Sequence, residues 1–141
     1  MNFFSRLFKK QQRTNYQPSD KIVAAKVLDV QKHPNADRLR VVKLDIGEGE
    51  IIDPVVCGAW NFEAGDMVVL ALPGAVIAQN IHDDKNQPFV LGKAKLRGIE
   101  SQGMICAAFE LGLTTEPGDK PEILLLNPTA KPGATFDPSM I

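Results

Sequence analysis

Short runs of apolar and β-branched residues, separated by turn residues, are the feature that most limits how this chain can fold. From Lys21 onward these runs alternate with stretches such as HPNAD and GEG, which favour turns. The 141 residues include eleven Gly and ten Pro, which end strands and form tight connections. The pattern therefore predicts an all-β domain built from short strands rather than a helical one.

Five of the runs are predicted to be the strands of one sheet. Pro54 in the third run indicates an edge or a bulge, and MICAAFELGL is expected to begin as a strand and end in a helical turn closed by Gly112. A small closed β-barrel is favoured because closure removes exposed strand edges. The five-stranded barrel of this kind is the OB-fold, with other small barrels and sandwiches as alternatives. The five runs are KIVAAKVLDVQK, RLRVVKLDIG, IIDPVVCGA, VVLALPGA and FVLGKAKLRG.

The chain is predicted to have three parts. Residues 1–20 carry a net charge of +3 and read as a basic amphipathic tail with a polar linker. Contact of residues 1–13 with a membrane surface and a tail that folds only on contact are both open interpretations. Residues 21–113 form the predicted β-domain. Residues 114–141 form a C-terminal extension that packs on the barrel or makes a dimer contact.

Bulk properties favour a cytoplasmic protein. The formal net charge is −1, so any anion-binding surface must be local. No apolar run reaches membrane-spanning length, and no secretory signal is visible. Cys57 and Cys106 lie in apolar strings, which predicts buried, reduced thiols.

One local stripe of cations stands out in the stretch GKAKLRGIESQGM. Lys93, Lys95 and Arg97 alternate with Ala94 and Leu96, so in a strand the three cations would share one face. Their spacing of about 6–7 Å along a strand is similar to that of phosphates along a nucleic-acid strand. A solvated outer face is the ordinary explanation, and binding of a polyanion is the functional one.

Four stretches together resemble a known family. In order they are KHPNADRLRVVKLDIGEGE, VVCGAWNFEAGDMV, ALPGAVI and AKLRGIESQGMICAAFELGL. They resemble the tRNA-binding OB domain, most closely the one near the N-terminus of the bacterial phenylalanyl-tRNA synthetase beta chain, over roughly residues 22–113. The resemblance implies an OB-fold that binds tRNA or another structured RNA through backbone and shape, with no catalysis of its own.

The candidate RNA contacts come from the first loop, from the residue after CGAW and from the cationic stretch. Amide, hydroxyl and cationic groups suit phosphate and 2′-hydroxyl oxygens, whereas Ser101 and Met104 are included because the resemblance implies that they face tRNA. Asn35 and Asn61 have turn or structural roles as alternatives, and Met104 has a core position. The candidates are His33, Asn35, Arg38, Asn61, Lys93, Lys95, Arg97, Ser101, Gln102 and Met104.

Trp60 departs from the family pattern, which usually has Pro at this point of CGAPN. The change leaves the shape of this loop open. An aromatic residue here would either stack on a base or pack into the core.

Enzymatic function finds little support in the sequence, and no cofactor or metal is predicted. His82, Asp83 and Asp84 could be read as metal ligands, but a polar hairpin tip has the same composition. Cys106 with His33 or His82 could be a nucleophile and base, although nothing local supports that pair.

A rival hypothesis is a protein-interaction or membrane-surface module that has lost RNA binding. Its partner would be a synthetase, another protein or a membrane. A homodimer is a further option, since the apolar stretch at 123–126 would serve either as a contact between copies or as packing on its own barrel.

Overall fold

The computed structural model describes residues 19–80 and 87–141, and this part of the chain is almost entirely β-structure. The tail prediction for residues 1–18 and the metal alternative at His82, Asp83 and Asp84 lie outside the described residues. The strands are β1 (Ile22–Lys32), β2 (Arg40–Asp45), β3 (Ile51–Cys57), β4 (Met67–Ala71), β5 (Val76–Ile77), β6 (Phe89–Val90), β7 (Ala94–Leu96), β8 (Ile99–Ser101) and β9 (Met104–Ile105), followed by a 3-10 turn at Pro138–Met140.

A curled antiparallel sheet with the strand order β3-β2-β1-β4-β9 is the framework of the domain. The first half of β1 pairs with β4, and its second half pairs with β2. An irregularity between Val27 and Asp29 bends β1 between these two partners. The inner face of the curl holds a core in which Val27, Leu44 and Val68 are fully buried. The alternation of β2 therefore arises because only one of its faces meets this core. The first half of β1 is buried on both faces, since Ile22 and Ala24 pack into a second buried cluster on the other side of the sheet.

The two far edges of the sheet meet near Pro54. The backbone N–H of Gln102 donates to Pro54 O at 2.8 Å, and β3 packs against β8 and β9. Pro54 is half-buried and follows a cis peptide bond with Asp53. The prediction of an all-β, OB-like fold is confirmed.

The predicted fifth strand is wrong in its extent. The stretch FVLGKAKLRG is divided between β6, which pairs with β5, and β7, which pairs with β8. Arg97 and Gly98 have φ of 53° and 95°, values that fit a two-residue hairpin turn rather than a strand. The fifth strand of the main sheet is instead β9.

The stretch after β9 forms hydrogen-bonded turns. The N–H of Leu113 donates to Ala108 O at 3.1 Å, and Gly112 has a φ of 75°. Gly112 thus closes the turn as the sequence indicates, although no regular helix forms between Ala107 and Gly112.

The C-terminal segment, residues 114–141, packs on the sheet. The N–H of Leu126 donates to Met67 O and that of Phe136 to Ile22 O, both at 2.8 Å. Ile123, Leu126 and Phe136 are buried, whereas Leu125 is 41% exposed. The apolar stretch at 123–126 therefore contacts the chain's own barrel, which was one of its two interpretations. The boundary at residue 113 stays a prediction.

Replacing Gly133 with Ala tests this packing. Gly133 has a φ of +90°, and a Cβ there would overlap Ile46 O. We expect Gly133→Ala to lower the free energy of unfolding by about 2–4 kcal/mol, measured by urea denaturation, because strain and overlap act together. Gly92→Ala is the control, since a Cβ at Gly92 meets open space, and it should change stability by less than about 0.5 kcal/mol. Equal stability of both variants would contradict the contact between the C-terminal segment and the β2–β3 turn.

Candidate nucleic-acid interface

His33 joins the β1–β2 loop to the β7–β8 hairpin. Its side chain is 1% exposed. Nδ1 accepts the backbone N–H of Asn35 at 3.0 Å, and Nε2 lies 3.0 Å from Leu96 O. Because a backbone N–H can only donate, Nδ1 is the acceptor and Nε2 is the donor to the carbonyl. Both ring nitrogens are thus used inside the protein, and the residue holds two surface elements together.

Asn35 and Arg97 make a second link between the same loop and hairpin. Asn35 Nδ2 donates to Arg97 O, and Arg97 Nη2 donates to Asn35 O, each at 3.3 Å. Both residues are exposed. Arg97 therefore does not continue the strand face of Lys95, as the alternation predicted, but turns back over the loop from its position in the hairpin turn.

The remaining cations lie on the outside of these two elements. Lys93, Lys95 and Arg38 are exposed, and neither lysine is ion-paired with a residue that the structure describes. Lys95 is directly opposite Glu100 in the hairpin register, so the two side chains share a face. We call the exposed residues Asn35, Arg38, Lys93, Lys95 and Arg97 of these two elements the loop–hairpin surface, on which Asp37 and Glu100 are exposed as well.

Ser101 lies inside the molecule. It is 4% exposed. Its Oγ accepts the N–H of Val56 at 2.9 Å and donates to Gly103 O at 2.8 Å. The hydroxyl thus takes the place of a ladder partner where β3 meets β8, and it is directed away from the outer surface on which the resemblance would put it.

Gln102 and Met104 are partly exposed. Gln102 Nε2 lies 3.3 Å from both Glu100 O and Glu100 Oε1. Met104 is in β9 and packs against the core cluster that contains Ala71 and Cys106. Met104 therefore has the core contacts that were its alternative interpretation.

Asn61 pairs with the C-terminal segment. Its Nδ2 donates to Ile123 O at 2.9 Å, and its Oδ1 accepts the N–H of Ile123 at 3.0 Å. The side-chain amide thus makes the same pair of hydrogen bonds with Ile123 that a neighbouring strand would make. These contacts favour a structural role for Asn61 over RNA contact.

Arg40 is a buried cation whose role was not predicted from the sequence. It is 5% exposed, and its guanidinium carbon lies 4.7 Å from the ring centroid of Trp60 and 4.5 Å from that of Phe62. Its Nη2 donates to Phe62 O at 2.8 Å and to Ala59 O at 3.3 Å. Burial of Arg40 could have been predicted from the alternation of β2, since Arg40 lies on the same face of the strand as the buried Val42 and Leu44.

Glu63 gives Arg40 a counter-charge. Glu63 Oε1 lies 3.5 Å from Arg40 Nη1, but the carboxylate is largely exposed. Arg40 Nε is buried without a hydrogen-bond partner among the described atoms. The cation is therefore held mainly by carbonyl oxygens and two aromatic faces.

A cavity of about 530 Å³ lies beside the cluster of Arg40, Trp60 and Phe62, between the end of β3 and residues 117–123. Its apolar lining includes Leu39, Val56 and Leu96. The charged residues that line it are Glu110, Asp119, Lys120 and Glu122. Three carboxylates against one ammonium group disfavour a phosphate backbone in this cavity.

The cysteines are buried and unpaired, as the apolar strings indicate. Burial raises the pKa of Cys57, and it raises the pKa of Cys106 well above its usual range. Few thiolates are therefore present near neutral pH, and neither sulfur suits nucleophilic chemistry. No metal-binding cluster of His, Cys, Asp or Glu is found within residues 19–80 and 87–141.

A curled five-stranded antiparallel sheet, with a basic hairpin and the adjoining β1–β2 loop at one end, defines an OB-like domain. Residues 22–135 match the family described as "Putative tRNA binding domain", and the chain belongs to that family. The resemblance found in the sequence is thereby confirmed, and the match extends well beyond residue 113.

The relatives are much longer than the chain. It is 53% identical over 92 residues to the phenylalanine–tRNA ligase beta subunit of Chlamydia pneumoniae, covering 65% of this chain and 11% of the relative. With that of Chlorobaculum tepidum it shares 48% identity over 99 residues, covering 70% of this chain and 12% of the relative. The chain thus spans about one eighth of the length of these relatives.

A solved structure supports the fold. The MetRS related protein from Pyrococcus horikoshii matches with a TM-score of 0.56 at 18% identity, covering 96% of this chain and 97% of the other. In the part of the chain that the structure describes, no helix is long and apolar enough to cross a membrane.

Removing Arg40 should destabilise the domain. Arg40→Ala leaves Ala59 O and Phe62 O without their donor and opens a gap between two rings, so we expect a loss of about 3 kcal/mol in the free energy of unfolding. Arg38→Ala is the matched control, because Arg38 is exposed and should cost less than about 0.5 kcal/mol. Urea denaturation measures both. Similar losses in the two variants would contradict a structural role for Arg40.

Ser101→Ala separates a structural role from RNA contact. The variant leaves the buried N–H of Val56 without an acceptor, so we expect about 1–3 kcal/mol lower stability, with tRNA affinity of the folded protein changed less than twofold. Thermal melting and a tRNA titration at a temperature well below the midpoint give the two quantities. Unchanged stability with weakened tRNA binding would instead support direct contact by Ser101.

Proposed function

We propose that this chain binds tRNA or another structured RNA through backbone and shape and catalyses no reaction itself. The observation that carries the proposal is the loop–hairpin surface, where exposed cations are fixed on two elements joined by His33 and Asn35. Cations carried by two fixed elements suit an RNA backbone of defined geometry, since less loop freedom is lost on binding. Family membership supports the same conclusion.

Within this proposal the residues have different roles. Arg38, Lys93, Lys95 and Arg97 contact phosphates, and Gln102 contacts a phosphate or a 2′-hydroxyl. His33 and Ser101 support the surface from inside, whereas Asn61 holds the C-terminal segment at Ile123. The buried thiols with raised pKa and the engaged nitrogens of His33 favour binding over catalysis. A cytoplasmic location fits the reduced cysteines.

The weak overall charge shapes the expected affinity. The formal net charge is −1, so attraction of RNA depends on the local cations and on low ionic strength. Binding should therefore be modest and strongly weakened by salt.

A second candidate function is protein interaction. The cavity beside β3 is apolar with a mainly acidic lining, which suits a partner segment with apolar and basic side chains. This function predicts no tRNA binding even at low salt, whereas the RNA function predicts its tightest binding there.

Removing two cations tests the RNA function. The double variant Lys95→Ala/Arg97→Asn should weaken tRNA binding on the order of tenfold and reduce the salt slope by about 2, because two phosphate contacts are lost. Asn suits the positive φ at position 97, so the hairpin turn is retained. Fluorescence anisotropy of labelled, unfractionated tRNA at several salt concentrations measures affinity and slope.

A control variant carries the same change of charge elsewhere. Lys26→Ala/Lys131→Ala removes two exposed lysines near the β2–β3 turn, at the end of β2 away from the β1–β2 loop. It should change the affinity by less than about threefold. Equal losses in both double variants would rule out the loop–hairpin surface as the RNA site.

A further inference from the structure

Trp60 presents an aromatic face next to the loop–hairpin surface. It is 51% exposed, unlike Phe62 in the same cluster, which is 1% exposed. One part of the indole contacts the Arg40 guanidinium, and Nε1 donates to Arg38 O at 3.2 Å. A large apolar ring is therefore held at the surface, although the residue that precedes it, Ala59, is buried in the core.

The ring is fixed by the residues beneath and beside it. The Arg40 guanidinium is itself held by Phe62 O and Ala59 O, so it forms a rigid base for the indole. The hydrogen bond to Arg38 O fixes the rotation of the ring. A fixed indole loses little conformational entropy when a ligand covers it.

The surroundings of Trp60 connect it to cations. Arg38, whose carbonyl accepts the indole N–H, is in the same loop as Asn35, and Asn35 is hydrogen-bonded to Arg97 in the hairpin turn. A chain of direct contacts thus runs from the cationic hairpin through the loop to the indole. A ligand with regularly spaced phosphates and flat apolar rings matches this sequence of groups.

We propose that Trp60 is a stacking site for an unpaired nucleobase of the RNA whose backbone lies on the loop–hairpin surface. This inference rests on the proposed function and adds to it a preference for RNA with a base free to leave its helix. Paired bases inside a duplex have both ring faces covered by their neighbours in the stack, whereas a loop or an overhang offers an exposed ring face. The acidic cavity next to Ala59 confines the backbone to the cationic side.

The test uses the fact that Trp60 is the only tryptophan of the chain. Intrinsic fluorescence excited at the indole therefore reports on this residue alone. We expect unfractionated tRNA to quench it and to protect it from added iodide, since a stacked base covers the ring. A long duplex RNA at equal phosphate concentration, in which nearly every base is covered by its neighbours, should bind by anisotropy and leave the fluorescence and the iodide quenching nearly unchanged.

Two variants at this position separate stacking from packing. Trp60→Leu keeps an apolar side chain without a ring face, and we expect about tenfold weaker tRNA binding. Trp60→Phe keeps a ring and should lose less than about threefold. Both should keep a thermal midpoint near that of the unchanged protein, because Arg40 retains Phe62 and two carbonyl acceptors. If either variant folds poorly, quenching of the unchanged protein by tRNA still decides whether a base stacks on Trp60.

The outcomes distinguish the stacking site from the function on which it rests. Quenching by tRNA together with a loss confined to Trp60→Leu supports the site. Full tRNA affinity in Trp60→Leu with no quenching overturns the site and leaves the RNA function standing. Absence of tRNA binding by the unchanged protein at low salt overturns both, and it favours a protein partner for the exposed indole.

Discussion

The arrangement of the β1–β2 loop and the β7–β8 hairpin depends on one constraint, which is that buried polar groups must find hydrogen-bond partners. His33, Arg40 and Ser101 are the buried polar side chains of the described residues, and an unpaired buried group costs about 1–3 kcal/mol. Each one therefore requires backbone from a distant element, at Leu96, Phe62 and Val56 respectively. Loop, hairpin and strand edges are fixed together because His33, Ser101 and Nη2 of Arg40 all find these partners at once, whereas Arg40 Nε is left without one among the described atoms.

This constraint divides the polar residues into two groups with different tasks. Side chains whose hydrogen bonds are used internally, such as His33 and Ser101, determine where the surface elements lie. Exposed cations such as Lys95 have few internal contacts and are available to a ligand. Asn35 and Arg97 belong to both groups, since their hydrogen bonds join the loop to the hairpin and Arg97 is also a proposed phosphate contact. Because internal hydrogen bonds hold the loop and the hairpin together, RNA would meet two preformed backbone elements, whereas the lysine side chains would adjust to it.

Strand patterns could be predicted from the sequence, but the internal roles of polar residues could not. Partial alternation located β2, and runs of apolar and β-branched residues located β1, β3 and β4, because burial on one or both faces of a strand leaves a local signal in the sequence. The partner of His33 is 63 residues away and that of Asn61 is 62 away, so no local pattern distinguishes them from free donors. The division of the predicted fifth strand has a similar cause, since Arg97 in a left-handed conformation is not expected from its residue type. The cationic composition of the surface, by contrast, was visible in GKAKLRG.

Arg97 shows how conformation and charge combine at the proposed interface. A non-glycine residue with φ near 53° costs roughly 1–2 kcal/mol relative to glycine, and Asn would fit this turn better. Glu48 has a similar φ of 55°, so the conformation alone does not indicate a function. The difference is that the Arg97 guanidinium is held on Asn35 O, which fixes a positive charge where the loop and the hairpin meet. A cation held at this position fits the proposed interface, in which Arg97 would share a phosphate of the RNA backbone with the neighbouring Lys95 and Arg38.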